Sequence, residues 1–258
     1  MQEIGKIVLV GAGNVAIHMG LAMKESGLNI VQVYSRTRVS AQALAGNLQT
    51  TYTTDLKSIV PDAHLYIIAV SDDAVEDVIR DMDAREKFVV HTSGSIPMEV
   101  FQPFAQNFGV MYPLQTFSKN RKVDFSHIPL CIEANSLKNL ELLNSLASKM
   151  TSDVRTVSSD QRKVLHLAAV FACNFPNFMY SIAELIMRKT NLDFNLLKPL
   201  IIETAEKVQS VSPGEAQTGP AWRGDRKVIE DHLEMLKQVP GIRDLYKQIS
   251  QEIGQMKK

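Results

Sequence analysis

Three clusters along the chain carry residue types that could do chemistry. The first is Gly11-Ala-Gly13-Asn-Val-Ala16, which follows the apolar run Ile7-Val-Leu-Val10 and opens a helical pattern that stops at Gly27. Strand, glycine turn and helix in that order suit a dinucleotide. Gly11 permits the tight turn, Gly13 lets backbone N–H groups approach a pyrophosphate, and Ala16 lets helix and strand pack closely, so the helix N-terminus faces the anion. Gly11, Ala12, Gly13, Asn14 and Val15 are therefore candidate cofactor-binding residues. The second cluster, Ser35-Arg36-Thr37, ends the apolar run Ile30–Tyr34. An NAD site places an acidic residue here, on the ribose 2′-hydroxyl. This chain has none. Arg36 can instead stack on adenine and pair with a 2′-phosphate while Ser35 and Thr37 donate hydrogen bonds, which points to NADP. The competing reading makes Arg36 a solvated loop arginine and Ser35 or Thr37 the cap of the next helix.

The third cluster lies far along the chain. His166 and Asn174 sit on an otherwise apolar helical stretch expected to face the first domain, with Asn177 beyond Pro176. A buried asparagine is unfavourable unless paired, so Asn174 is read as the residue that orients a substrate oxygen. The alternative is that it satisfies backbone groups freed by a kink at Pro176. His166 could manage the proton that accompanies hydride transfer, or be packed by a neighbouring carbonyl. Polar residues also follow two apolar strands. Ser71 to Asp73 should rim the nicotinamide side, with Val70 and Ser71 taken as cofactor-binding and the side chain of Ser71 or Asp72 favoured as a helix cap. Ser93, also taken as cofactor-binding, and Gly94 either hold a substrate carboxylate or carbonyl near the nicotinamide or only make a turn. His91 is read as structural. Thr218–Asp225 contains two glycines, a proline, the sole Trp222 and Arg223; it is either a substrate loop or a rigid turn, with Asp225 capping the following helix.

Apolar runs at Leu65–Val70, Lys87–His91, Phe108–Tyr112, Ile128–Glu133 and Asp153–Val157 alternate with helical patterns, as in a parallel α/β sheet with ligands beyond the carboxyl ends of its strands. Asn135 or Ser136 should cap the helix that starts at Leu137, and Ser159 or Asp160 the long helix to Lys189. From there the patterns are helical only: Phe194–Val211, a turn-rich loop Ser212–Pro220, Asp225–Gln238 and Ile242–Met256. The expected organisation is a sheet domain over residues 1–157 and an all-α domain over 158–258, with the reaction in the cleft between them. The 258 residues carry 28 basic and 28 acidic side chains, so nothing resembles the basic footprint of a nucleic-acid binder. No apolar run approaches the ~20 residues of a membrane span, and the first strand begins too early to leave room for a signal peptide. Cys131 and Cys173 have no metal-ligand spacing and read as buried free thiols in a reducing compartment. A cytoplasmic, metal-free protein is expected.

Gly11-x-Gly13-Asn-Val-Ala16, Ser35-Arg36-Thr37, Ala69-Val-Ser-Asp72, His91-Thr-Ser-Gly94, Tyr112-Pro-Leu-Gln115, Ala169-Val-Phe-Ala-Cys-Asn174 and Gly219-Pro-x-x-Arg223-Gly-Asp225 together resemble a family of Rossmann-like NADP oxidoreductases whose C-terminal half is a domain of unknown function. The resemblance spans essentially the whole chain. The N-terminal half is similar to pyrroline-5-carboxylate reductase and deazaflavin-dependent NADP oxidoreductases, and the helical half to the C-terminal domain of 6-phosphogluconate and 3-hydroxyacid dehydrogenases. It implies hydride transfer with a small C=O or C=N substrate and a homodimer formed through the helical domains. One departure matters. The 3-hydroxyacid dehydrogenases carry a helix lysine one turn before the asparagine that Asn174 matches, and Val170 stands there. That argues against hydroxyacid chemistry by their mechanism, and keeps a non-catalytic NADP-binding sensor or scaffold as the alternative.

Overall fold

The computed structural model describes residues 4–256. Strand β1 (Ile7–Val10) leads to α1 (Asn14–Glu25), followed by β2 (Ile30–Tyr34), α2 (Arg38–Leu48), β3 (Thr51–Thr53), β4 (Leu65–Ile68), α3 (Val75–Asp81), β5 (Phe88–His91), β6 (Asn107–Pro113), β7 (Leu130–Ala134), α4 (Leu137–Ala147) and β8 (Val154–Thr156). The eight strands form one sheet in the order β3-β2-β1-β4-β5-β6-β7-β8. Successive side chains on a strand point to opposite faces, and β1 shows why all four of its residues are apolar. Ile7 and Leu9 join one core with Met19, Met23, Leu44 and Leu143, while Val8 and Val10 join the other with Val75, Ile79 and Phe101.

The sheet is parallel from β3 through β6, but β7 runs antiparallel to β6, with Gly109 opposite Ala134 and Pro113 opposite Leu130. An antiparallel return needs no crossover helix, so residues 114–129 form a long loop at the carboxyl end of β6. The sheet is parallel-dominated, as expected, with one antiparallel pair that the strand pattern does not reveal. Ser136 caps α4 through Asn139 N–H.

The next helix is continuous but not uniform. It comprises α5 (Ser159–Ala169), a π-helical turn (Val170–Asn174) and α6 (Phe175–Arg188). Its cap is Ser158, which accepts from Gln161 N–H while the Gln161 side chain accepts from Ser158 N–H. The expected caps are otherwise engaged: the Ser159 hydroxyl donates to Glu133 at 2.7 Å, and Asp160 is solvated. Pro176 has no N–H to offer the turn before it, and the wider π turn is where the ladder re-forms. The chain divides into two compact units between Asn174 and Phe175, so α5 and the π turn belong with the sheet.

The second unit contains α6, α7 (Lys198–Ser210), α8 (Pro213–Ala216), α9 (Pro220–Arg223), α10 (Arg226–Met235) and α11 (Pro240–Gln255). The short helix α8 lies within the segment expected to be loop, and α9 begins at its last residue. Among its described residues none is buried, whereas the sheet unit holds two buried cores. Among the described residues no helix is long and apolar enough to cross a membrane.

Candidate active site

A pocket of about 550 Å³ opens at the carboxyl ends of β1, β2 and β4, where the strand order reverses direction. Gly11 makes it possible. Its φ of +126° lies in the region that favours glycine, its N–H donates to Tyr34 O at 2.8 Å, and a Cβ there would stand 2.2 Å from Ala69 O. Gly13 occupies the N-cap position of α1 without a side-chain cap, and the first turn contains no acidic residue. The leading amides of α1 thus have no side-chain acceptor before them, which suits an anion.

Of the proposed cofactor residues, Gly11, Ala12, Gly13, Asn14, Val15, Ser35, Arg36, Thr37, Val70 and Ser71 all line this pocket. Thr37 occupies the N-cap position of α2 but its side chain makes no capping bond, so the cap reading does not account for it. Ser71 makes no capping bond to the turn Asp72–Ala74 either, and Asp72 instead accepts a hydrogen bond from the Ser95 hydroxyl. The capping role expected for this pair is therefore corrected. No aspartate or glutamate lines the pocket, while Arg36 and Lys119 both do.

Ser93 is not among the lining residues. It is buried, its hydroxyl accepts from the N–H groups of Ser95 and Ile96 at 3.1 Å each, and its carbonyl accepts from Arg162 Nε at 3.1 Å. Its atoms hold the turn after β5. Tyr34, Ser40 and Lys119 line the pocket without having been singled out in the sequence. Lys119 had no local signal, because it comes from the long loop after β6.

A second pocket of about 490 Å³ lies within the same unit, between the carboxyl end of β6 and the helix that follows β8. Tyr112, Gln115 and Thr116 line one side; His166, Val170, Cys173 and Asn174 line the other. The imidazole Nδ1 of His166 stands 3.1 Å from the Tyr112 hydroxyl, with the rings edge to face. Burial raises the Tyr112 phenol above its ordinary pKa, so it keeps its proton. Gly94 explains the approach of α5: a Cβ at that position would stand 2.6 Å from His166 Nδ1. Asn174 lines the pocket but is exposed, as is Asn177, so the argument from burial is wrong for both. Helical spacing marks an apolar stripe without saying what covers it. Cys173 is likewise exposed rather than buried, and only Cys131 is a buried thiol.

What sequence reading missed is the scaffold beneath the second pocket. Arg162 is completely buried. Its guanidinium donates to Ser93 O, to Ile96 O at 2.6 Å, to Ser159 Oγ at 3.2 Å and to Glu133 Oε2 at 2.7 Å. One side chain thereby fixes the turn after β5 against β7 and α5. A buried charge is tolerated when it is paired and hydrogen-bonded, and each of the three guanidinium nitrogens donates here. Beneath the same turn, His91 is fully buried and its Nδ1 accepts from Ser93 N–H at 3.2 Å, while Nε2 has no hydrogen-bond partner. Desolvation, assisted by the Arg162 charge, lowers its pKa to about 3, so it is neutral.

In the second unit, Gly219 and Gly224 both have positive φ and bracket α9. Asp225 does not cap α10; its carboxylate is paired with Arg223 at 2.8 Å. An arginine with its own carboxylate is a poor anion ligand, which favours the rigid-turn reading of this segment. Among the described residues no His, Cys, Asp and Glu side chains form a group that could hold a metal ion.

Comparison with known proteins supplies the context. A Rossmann-like domain model matches residues 2–116, and the domain of unknown function DUF2520 matches residues 128–253. A Bacteroides fragilis protein, solved under the name "putative NADP oxidoreductase", is 45% identical, with 97% of this chain and 98% of that chain covered and a TM-score of 0.91. Two more distant structures share the fold. An imine reductase from Myxococcus stipitatus, in complex with NADP+, is 15% identical over 97% of this chain and 92% of its own, with a TM-score of 0.67. A 1-pyrroline-5-carboxylate reductase from Streptococcus pyogenes is 13% identical over 97% and 98%, with a TM-score of 0.61. No curated protein matches the sequence.

Proposed function

We propose that this chain, which belongs to the family of Rossmann-like NADP oxidoreductases with a C-terminal DUF2520 domain, moves a hydride between NADP and a small C=O or C=N substrate. The observation that carries the reading is the charge of the first pocket: Arg36 and Lys119 line it and no carboxylate does, in a chain whose formal net charge is zero. A pocket of that character at the switch point of a doubly wound sheet suits a phosphorylated dinucleotide. Bound there, NADP supplies or accepts the hydride at its nicotinamide ring. Gly11–Val15 hold the pyrophosphate through the backbone, Ser35, Arg36 and Thr37 hold the 2′-phosphate, and Val70 and Ser71 border the nicotinamide.

The substrate occupies the second pocket. His166 exchanges the proton at the substrate heteroatom, Tyr112 fixes the imidazole through the 3.1 Å contact and keeps its own proton, and Asn174 orients the substrate oxygen or nitrogen. Val170 leaves no lysine in this pocket, so the imidazole carries the proton transfer alone. A screen of cyclic imines and small ketones with NADPH tests the reading. Turnover that falls at least about a hundredfold in His166→Ala supports it. NADPH binding with no oxidation by any carbonyl or imine would sink it in favour of a sensor.

The partner is a second copy of the chain. Val164, Leu167, Phe171, Phe175 and Phe178 lie exposed at three- and four-residue intervals along the long helix, and the second unit buries none of its described residues. Apolar surface of that extent is normally covered by another chain. Light scattering should give a dimer mass, and Phe178→Asp should give a monomer.

A further inference from the structure

Residues 114–119, at the carboxyl end of β6, contribute to both pockets. Gln115 and Thr116 line the second, and three residues on Lys119 lines the first. Between them the chain is fastened to α1. Asn14 Nδ2 donates to Phe117 O at 2.9 Å, and His18 Nε2 donates to Ser118 O at 3.0 Å. The His18 ring also stacks on Phe117 with 4.8 Å between centroids, and Phe117 stacks in turn on buried Phe125. Asn14 and His18 are four residues apart, so they present one face of α1 to the loop. Lys122 is spoken for by Glu25 at 3.1 Å, whereas Lys119 makes no ion pair among the described residues.

We propose that residues 114–119 are a strap across the two pockets, in which Lys119 binds the pyrophosphate of the dinucleotide and Gln115 and Thr116 set the substrate pocket accordingly. The inference rests on the assignment of the first pocket to NADP. The location selects the pyrophosphate over the 2′-phosphate: the strap crosses α1 at its first residue, where a pyrophosphate sits, and Lys119 is two residues beyond the Asn14 contact. Lysine acts there as a compact point charge, without the planar fork by which Arg36 would recognise a terminal phosphate. The two cations of the pocket therefore divide the work. Arg36 discriminates between nucleotides and Lys119 holds both.

The test is a fluorescence titration of the full chain with NADPH and NADH, joined to amide exchange at residues 114–119. Lys119→Met is expected to weaken both nucleotides by the same factor, about tenfold, as for loss of one charge-assisted contact. Lys122→Met, which removes a neighbouring charge, is expected to change neither. NADPH should slow exchange at Gln115 and Thr116 in the wild-type chain and not in Lys119→Met. Equal affinities for Lys119→Met and wild type, a loss confined to NADPH, or an equal loss in Lys122→Met would each overturn the strap while leaving the NADP assignment standing. A wild-type chain that binds neither nucleotide would bring down the assignment and the strap together. Lys119 is exposed, so its replacement leaves the fold intact.

Discussion

Two pockets of the sheet unit are built on opposite principles. The first is made by backbone: a glycine that no other residue can replace, uncapped helix amides, and short turns directly after β1, β2 and β4. The second is made by side chains brought from distant elements, held by a buried guanidinium and admitted by the missing Cβ of Gly94. A backbone pocket is as robust as the sheet that ends in it. A side-chain pocket is only as secure as its scaffold, and that difference can be attacked experimentally.

The largest effect should come from Arg162→Met, which leaves Glu133 without its cation and frees the turn after β5. Breaking a buried, hydrogen-bonded pair costs about 3–5 kcal/mol, readable as a fall in the urea midpoint. Where the variant remains folded, NADPH affinity should hold while turnover falls. Equal losses in both pockets would erase the distinction between them.

Acid should strike the same scaffold through His91. Its folded pKa of about 3 lies below the unfolded value of 6.5, so the unfolded chain binds the extra proton between those values. Stability is complete above pH 6.5 and is lost as pH falls toward 3, by about 2 kcal/mol at pH 5. Wild type and His91→Leu compared by denaturant titration from pH 7 to 4.5 should show a steeper acid limb in wild type. Parallel curves would remove His91 from this role.

In the first pocket, Arg36→Ala should weaken NADPH about tenfold or more and NADH far less; the same titration used for Lys119 reads it, and equal losses would contradict the 2′-phosphate assignment. The smallest effect belongs to Thr37→Ala. Since Thr37 makes no capping bond, its loss should change stability by less than about 0.5 kcal/mol, below the ordinary effect of removing a cap. A melting temperature lowered by several degrees would restore the cap reading.

The same contrast governs what could be read from the sequence. Apolar runs, the glycine turn and the absence of an acid near Arg36 are local features, and the pocket they predict is the backbone-built one. Glu133 and Arg162 meet across the fold and leave no spacing to notice. Gly94 was visible as a turn glycine, but the imidazole that requires it was not. Ser159 looked like a helix cap because its carboxylate partner, Glu133, lies in another element. The misreading of Asn174 and Cys173 has a related cause: the periodicity of the long helix marks an apolar face, and a single chain leaves that face open.

Folding gives the contrast a time axis. Apart from Lys119, the lining of the first pocket comes from residues 11–78, a run of consecutive strand–helix units. The second pocket takes its lining from residues 112–174. Gly11 meets Ala69 over a loop as long as the one Tyr112 closes with His166, so loop closure does not order the two. Synthesis does, because a chain is made from its N-terminus. The growing chain should therefore hold most of the lining around Gly11 before His166 exists to meet Tyr112, and Gly94 keeps room for an imidazole that is made long after it.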